Sequence, residues 1–221
     1  MPAIKACLFD LDGVLVDTAK YHYLAWKRLA NELGFEFTEH DNEKLKGVSR
    51  MASLDILLSI GGLELDETTK NELATRKNEW YFQSIMAMDQ SEILPGALEF
   101  IQECKDNGLK IALGSASKNA MTILNNTGLT PYFDVIIDGN RTTSAKPDPE
   151  VFTLGSTELG IPKEQCVVFE DAEAGIEAAR RAGMACVGIG SPETLRAADF
   201  VIPSLQDMSV NRLPELNASN L

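Results

Sequence analysis

Residues 4–13 read Ile-Lys-Ala-Cys-Leu-Phe-Asp-Leu-Asp-Gly, an apolar run that stops at two carboxylates and a glycine. Such a run, short and bounded by turn residues, is what a strand covered on both faces looks like. Side chains alternate along extended chain, so Asp10 and Asp12 point to the same side, and Gly13 lets the backbone turn sharply. Segments of the same character recur at Lys110–Gly114, Val135–Ile137, Cys166–Phe169, Ala185–Ile189 and Phe200–Ile202. Helical periodicity separates most of them, over Ala97–Asn107, Asn119–Thr127, Pro149–Leu159 and Ala174–Ala182. The last two patterns close at Gly160 and Gly183, which suit a left-handed helix end. This alternation predicts an α/β fold, a Rossmann-like parallel sheet with helices on both faces.

One stretch departs from the alternation. From Thr18 to Met88 there is no strand pattern, only amphipathic helix: one series through Tyr21, Leu24, Leu29 and Leu33, one through Met51, Leu54, Leu57 and Leu58, and one through Leu73, Trp80, Ile85 and Met88. The expected organisation is therefore an α/β core formed by residues 1–16 and 93–221, with a small all-helical cap, 17–92, inserted after the first strand. The chain would cross between them near Val14–Thr18 and Gln90–Pro95, and these crossings would form a hinge. The tail from Ser204 is polar and weakly patterned, and no role is assigned to it.

The chain has 221 residues, 20 Lys+Arg against 33 Asp+Glu and a formal charge of −13. That balance excludes disorder and a disulfide scaffold. A field of that sign disfavours nucleic acid and anionic lipid, and also anionic small molecules unless local cations or a metal reverse it in a cleft. The four cysteines (Cys7, Cys104, Cys166, Cys186) have no zinc-ligand spacing and read as reduced packing thiols. No secretory leader is evident, and no apolar stretch approaches the roughly 20 residues of a membrane span. A cytoplasmic, soluble protein is expected, acting as a monomer with neither nucleic acid nor membrane as partner. Asn217-Ala218-Ser219 matches a glycosylation sequon, which in a cytosolic chain is coincidence.

Ligands in open α/β sheets sit at the carboxyl ends of the strands. Asp10 and Asp12 lie at one such end, and Glu170-Asp171 at another. Hard oxygen donors from two strand ends suit Mg²⁺, although Asp-x-Asp-Gly alone also describes a capped turn. An EF-hand is excluded, because its third acidic position would be Val14 and its closing glutamate Tyr21. P-loop, dinucleotide and esterase motifs are missing. Ser115-Ala116-Ser117-Lys118-Asn119 follows a strand where a helix begins, a place for an anion cradled by N–H groups or for a plain serine cap. Lys146, in Ala145-Lys146-Pro147-Asp148-Pro149, sits in a loop stiffened by two prolines, either as a fixed cation or as a solvated side chain. A nucleophile, a metal cluster, an N–H cradle and a cation together are what phosphoryl transfer needs.

Phe9-Asp10-Leu11-Asp12-Gly13-Val14-Leu15-Val16-Asp17-Thr18, then Ser115, Lys146-Pro147 and Glu170-Asp171 resemble the four ordered motifs of the haloacid dehalogenase-like phosphotransferases. The likeness covers nearly the whole chain, and the helical insert resembles that family's cap. Within the family the chain is most similar to the β-phosphoglucomutase branch. That closer likeness rests on His22 with Trp26, Lys46-Gly47-Val48-Ser49-Arg50, Arg76-Lys77-Asn78 and Ser115-Ala116-Ser117-Lys118-Asn119. The resemblance implies an aspartyl phosphate on Asp10, with Asp12 as general acid/base that also offers its carbonyl to Mg²⁺. Glu170 and Asp171 would complete the metal site. Ser115, the Ala116 amide and Lys146 would hold the transferring phosphoryl group, and Thr18 would orient Asp12. Arg50 would grip the distal phosphate, while His22, Lys77, Lys118 and Asn119 position the sugar. His22 beside Trp26, and Arg50 or Lys77 on a helix, could equally be packing and solvated groups. Ala172 departs from the serine or asparagine common after the acidic pair. The implied reaction interconverts β-D-glucose 1-phosphate and glucose 6-phosphate through β-glucose 1,6-bisphosphate. The alternatives are a sugar-phosphate phosphatase and a non-catalytic sugar-phosphate binder.

Overall fold

The computed structural model describes residues 3–45 and 48–217. Six strands, β1 (Ala6–Phe9), β2 (Lys110–Gly114), β3 (Val135–Ile137), β4 (Cys166–Glu170), β5 (Ala185–Ile189) and β6 (Phe200–Ile202), form one parallel sheet in the order β3-β2-β1-β4-β5-β6. Chain order reverses beside β1: the first connections run toward β3, and the return crosses to β4. This places a crevice between the carboxyl ends of β1 and β4. Phe9 pairs with Phe169, so Asp10 and Glu170 emerge at one level.

The strand residues alternate between two apolar layers. Cys7, Phe9, Leu113, Val167 and Phe169 face one core, which α5 (Ala97–Asp106) and α6 (Ala120–Thr127) cover. Ala6, Leu8, Ala112 and Val168 face the other, covered by α7 (Glu150–Leu159) and α8 (Glu173–Ala182). The Phe9 and Phe169 rings stack at 4.8 Å, with Phe100 edge-on to both. That packing anchors the two strand tips that carry acidic residues. All four cysteines are free and buried. Gly160 and Gly183 end α7 and α8 with φ of 68° and 73°, the left-handed geometry expected of them.

The segment without strands forms four helices rather than three: α1 (Ala19–Glu32), α2 (Glu39–Glu43), α3 (Arg50–Ile60) and α4 (Glu67–Ile85). They share a separate apolar cluster built around Trp26, Leu29, Leu54, Leu57 and Leu73. The extra helix is five residues long and is held by a capping box between Thr38 and Asp41, too short to leave a periodic signature. The two connections to this unit lie side by side. Val16 bridges Ile93 antiparallel, Leu94 N donates to Leu15 O at 2.9 Å, and Glu92 accepts from both Lys20 Nζ and Tyr21 Oη at 2.6 Å. The tail differs from its weak sequence pattern: Leu205, Met208 and Leu213 are buried against the core through short 3₁₀ turns. No helix among the described residues is long and apolar enough to cross a membrane.

Candidate active site

A cavity of about 330 Å³ lies where the helical unit meets the carboxyl edge of the sheet. From the core, Asp10, Asp12, Lys146 and Asp171 line it, with the loop Ala116–Asn119. From the helices come His22 and Trp26 of α1, Val48, Ser49 and Arg50 at the start of α3, and Lys77 of α4. Ser49 caps α3 by accepting from Ala52 N, which fixes Arg50 in its first turn. Among the described residues, the basic side chains Arg50, Lys77, Lys118 and Lys146 thus line the cavity of a chain with net charge −13. Lys46 and Gly47, also expected at this site, lie outside the described residues.

Three expected residues stand behind the cavity wall rather than on it. Glu170 is fully buried, and so is Thr18, whose hydroxyl donates to Asp12 Oδ1. Ser115 is fully buried as well. It does not begin a helix, because α6 starts only at Ala120 with Asn119 as its cap. Instead Ser115 Oγ accepts from Ser117 N at 3.1 Å and Ser117 Oγ from Asn119 N at 3.2 Å, so the cradle is a chain of serine turns.

Asp10, Glu170 and Asp171 bring carboxylate oxygens within 4.8 Å of one another. This hard-oxygen donor set fits Mg²⁺, which accepts a few carboxylates and keeps further positions for water or substrate oxygens. The Asp12 side chain is not part of the cluster. It turns to Thr18 and lies 3.7 Å from His22 Nε2, which leaves its backbone carbonyl as the group it could offer a metal. Lys146 Nζ bridges Asp10 Oδ1 at 2.6 Å and Glu170 Oε2 at 2.8 Å. Burial alone would lower the lysine, but these two carboxylates raise it, so it remains a cation. One lysine does not neutralise two buried carboxylates, and desolvation pushes Glu170 up to about 7. Desolvation and then the Asp10 charge raise Asp12 to about 6, against the Thr18 bond. A carboxyl poised there both gives and takes a proton near neutrality.

Two glycines shape the cluster, and neither role is legible in a motif. Gly13 has φ +83°, and a Cβ there would sit 2.2 Å from Asp171 Oδ2. Gly175, in α8, would place a Cβ 2.0 Å from Glu170 Cδ. Backbone passes this close only because the side chain is hydrogen.

On the opposite wall, burial and then the charges of Lys77 and Arg50 push His22 well below its usual range. The neutral ring is hydrogen-bonded through Nδ1 to Lys77 Nζ, 2.9 Å away, and turns Nε2 toward Asp12. Burial and Arg50 bring Lys77 down to about 7. Its Nζ lies 4.4 Å from the Trp26 ring and 4.9 Å from that of Tyr81. Tyr81, one turn after Lys77, is not singled out by the sequence, and neither is the loop Thr142–Ala145 that completes the wall. Thr143 N and Ser144 N donate to Glu150 Oε2 at 2.9 and 2.6 Å, pinning that loop to α7. Asn119 Nδ2 donates to Asn78 Oδ1 at 3.2 Å, joining core and helices at the cavity lining.

A family profile described as haloacid dehalogenase-like hydrolase matches residues 4–183. The β-phosphoglucomutase of Bacillus subtilis (strain 168) is 39% identical over 214 residues, 96% of this chain and 95% of that protein. A phosphorylated carbohydrates phosphatase of Thermotoga maritima is 31% identical over 185 residues, 82% of each chain. The crystal structure of β-phosphoglucomutase from Clostridium difficile superposes with a TM-score of 0.91 at 39% identity, covering 98% of both chains.

Proposed function

The chain belongs to the haloacid dehalogenase-like hydrolase family, and from that premise we propose that it is a Mg²⁺-dependent mutase. It would interconvert β-D-glucose 1-phosphate and glucose 6-phosphate through β-glucose 1,6-bisphosphate. The observation that carries this reading is one cavity lined by a cation at either wall, Lys146 beside Asp10 and Arg50 on α3. A phosphatase needs one phosphate pole. An intermediate that carries two phosphates and turns over in place needs both. Residues 17–92 act as a cap that closes over the core formed by 1–16 and 93–221.

Asp10 attacks phosphorus: its carboxylate oxygen forms the new P–O bond as the bond to the sugar oxygen breaks. That oxygen keeps the electron pair of the broken bond and takes a proton from Asp12. In the other half-reaction Asp12 removes the proton of the C6 hydroxyl of β-glucose 1-phosphate, which attacks the aspartyl phosphate; the bond from phosphorus to Asp10 breaks, and the bisphosphate so formed turns over to present its C1 phosphoryl group to Asp10. Proton transfer of this kind is worth roughly 10²–10⁴-fold. Thr18 keeps the Asp12 carboxyl in place, and Lys146, Ser115 and the Ala116 amide hold the phosphoryl group. Asp10, Glu170 and Asp171, with the Asp12 carbonyl, would hold Mg²⁺, which neutralises charge building on the phosphoryl oxygens. His22, Trp26, Lys77, Lys118 and Asn119 receive the sugar, and Val48, Ser49 and Arg50 the distal phosphate.

The test is the product formed from anomerically pure β-glucose 1-phosphate with Mg²⁺ and a trace of the bisphosphate. Glucose 6-phosphate should dominate, and Asp10→Asn should form no product. Free phosphate outpacing glucose 6-phosphate would establish the second reading instead, a sugar-phosphate phosphatase. The likeness to the Thermotoga phosphatase favours that second reading.

A further inference from the structure

Tyr81 is 1% exposed, and its hydroxyl is the buried side-chain polar atom without a hydrogen-bond partner among the described residues. Leaving a buried donor unpaired is costly, and phenylalanine would fill the same space without that cost. The ring has a clear structural duty. It stacks on His22 at 4.0 Å and 24° and lies 4.9 Å from Lys77 Nζ, but neither contact uses the oxygen. What surrounds the oxygen is the acid/base apparatus. Asp12, Thr18 and Ser117 are its polar neighbours, and burial with the Asp12 charge keeps the phenol protonated, able to donate to a carboxylate. His22, against which the ring lies, is itself 3.7 Å from Asp12 Oδ1.

We propose that Tyr81 is a positioning residue for Asp12: its hydroxyl donates to the Asp12 carboxyl when a sugar phosphate fills the cavity. Thr18 holds Oδ1 of that carboxyl, and Tyr81 supplies the second point that fixes its plane. The inference rests on Asp12 being the acid/base, as set out above. It concerns the step in which the P–O bond to the sugar breaks, the electron pair passes to the sugar oxygen and Asp12 gives that oxygen its proton.

Tyr81→Phe removes one oxygen and keeps the ring, its stacking and its contact with Lys77. Its melting temperature should be unchanged or higher, since an unpaired buried hydroxyl is lost. The decisive measurement compares first-turnover consumption of β-glucose 1-phosphate with first-turnover release of nitrophenolate from p-nitrophenyl phosphate. Consumption of the sugar phosphate needs Asp12 to move a proton at a sugar oxygen, whereas nitrophenolate leaves without one. The ratio of the two maximal rates should fall about tenfold in Tyr81→Phe, or 1.36 kcal/mol, with half-saturation for the sugar phosphate within about twofold. Equal losses on both substrates, a loss confined to half-saturation or an unchanged ratio would overturn the inference. Because consumption is read, a wild type that hydrolyses the sugar phosphate refutes the mutase reading and leaves this comparison intact. A wild type that consumes nitrophenyl phosphate but no sugar phosphate overturns both.

Discussion

Replacing Gly175 by alanine inverts an ordinary rule. Gly175 sits inside α8 with ordinary helical geometry, where Gly→Ala normally stabilises by about 0.5–1 kcal/mol. Here the new Cβ would lie 2.0 Å from Glu170 Cδ and 2.1 Å from Oε2, far inside van der Waals contact. Glu170 cannot swing aside, because Lys146 Nζ holds Oε2 at 2.8 Å and Ala172 N donates to Oε1 at 3.2 Å. Overpacking of a rigid interior costs about 1–3 kcal/mol, and losing one charge-assisted bond about 1.5–3 kcal/mol. Set against the helix gain, the net loss is about 1.5–5.5 kcal/mol, or roughly 3–22 °C in melting temperature for a chain of this length. Displacing a carboxylate of the cluster should also weaken Mg²⁺ binding at least tenfold. Thermal melts of wild type and Gly175→Ala, each across a Mg²⁺ titration, measure both effects. A variant as stable as wild type that gains the same stabilisation from Mg²⁺ would refute the close approach of α8 to Glu170, and with it this account of how the cluster is built.

Arg50→Ala should lower turnover of β-glucose 1-phosphate by about 10²-fold while changing that of a small aryl phosphate less than threefold, because only the sugar bisphosphate needs the second anion site. Equal losses in steady-state assays would remove Arg50 from that role. In metal-free protein, Asp12 and Glu170 should make stability fall as pH rises from about 4 to 7, partly offset below 6.5 by His22, which binds its proton more weakly folded than unfolded. Asp12 and Glu170 bind protons more tightly folded than unfolded, so their contribution is complete below 3.8 and 4.5 and is lost through about 6 and 7. Asp12 alone accounts for about 3 kcal/mol. Lys77, lowered from 10.5 to about 7, reverses the slope above neutrality, where the unfolded chain binds the extra proton. Urea denaturation midpoints in chelator across pH 4–9 check the curve. Added Mg²⁺ should raise stability more at pH 8 than at pH 5.5, where protons compete for the same oxygens.

How much of this was readable in advance varies by element. The strands were legible because each is a short apolar run ending at a turn residue, and burial on both faces leaves no polar alternation to confuse the reading. Asp10, Asp12 and the Glu170-Asp171 pair stood out for a related reason: charge placed directly against a strand end has few structural uses, whereas Lys146 stood out in a loop stiffened by two prolines. Helix α2 escaped notice because a five-residue helix shows no period. The tail misled because Leu205, Met208 and Leu213 reach the core through 3₁₀ turns, whose spacing is not that of an amphipathic helix.

From the chain alone came the parallel α/β class, the helical insert and the acidic groups, since these follow from local periodicity and from charge at strand ends, while Arg50 and Lys77 were named through the family resemblance. Only the folded molecule decided which groups share a boundary. It set Glu170, Thr18 and Ser115 behind the wall, Lys146 between two carboxylates, Gly175 under Glu170 and Tyr81 behind His22. Residues separated by 24 to 136 positions meet through sheet register and helix packing. Their proton affinities then depend on burial and neighbouring charge, quantities that exist only once the chain is folded.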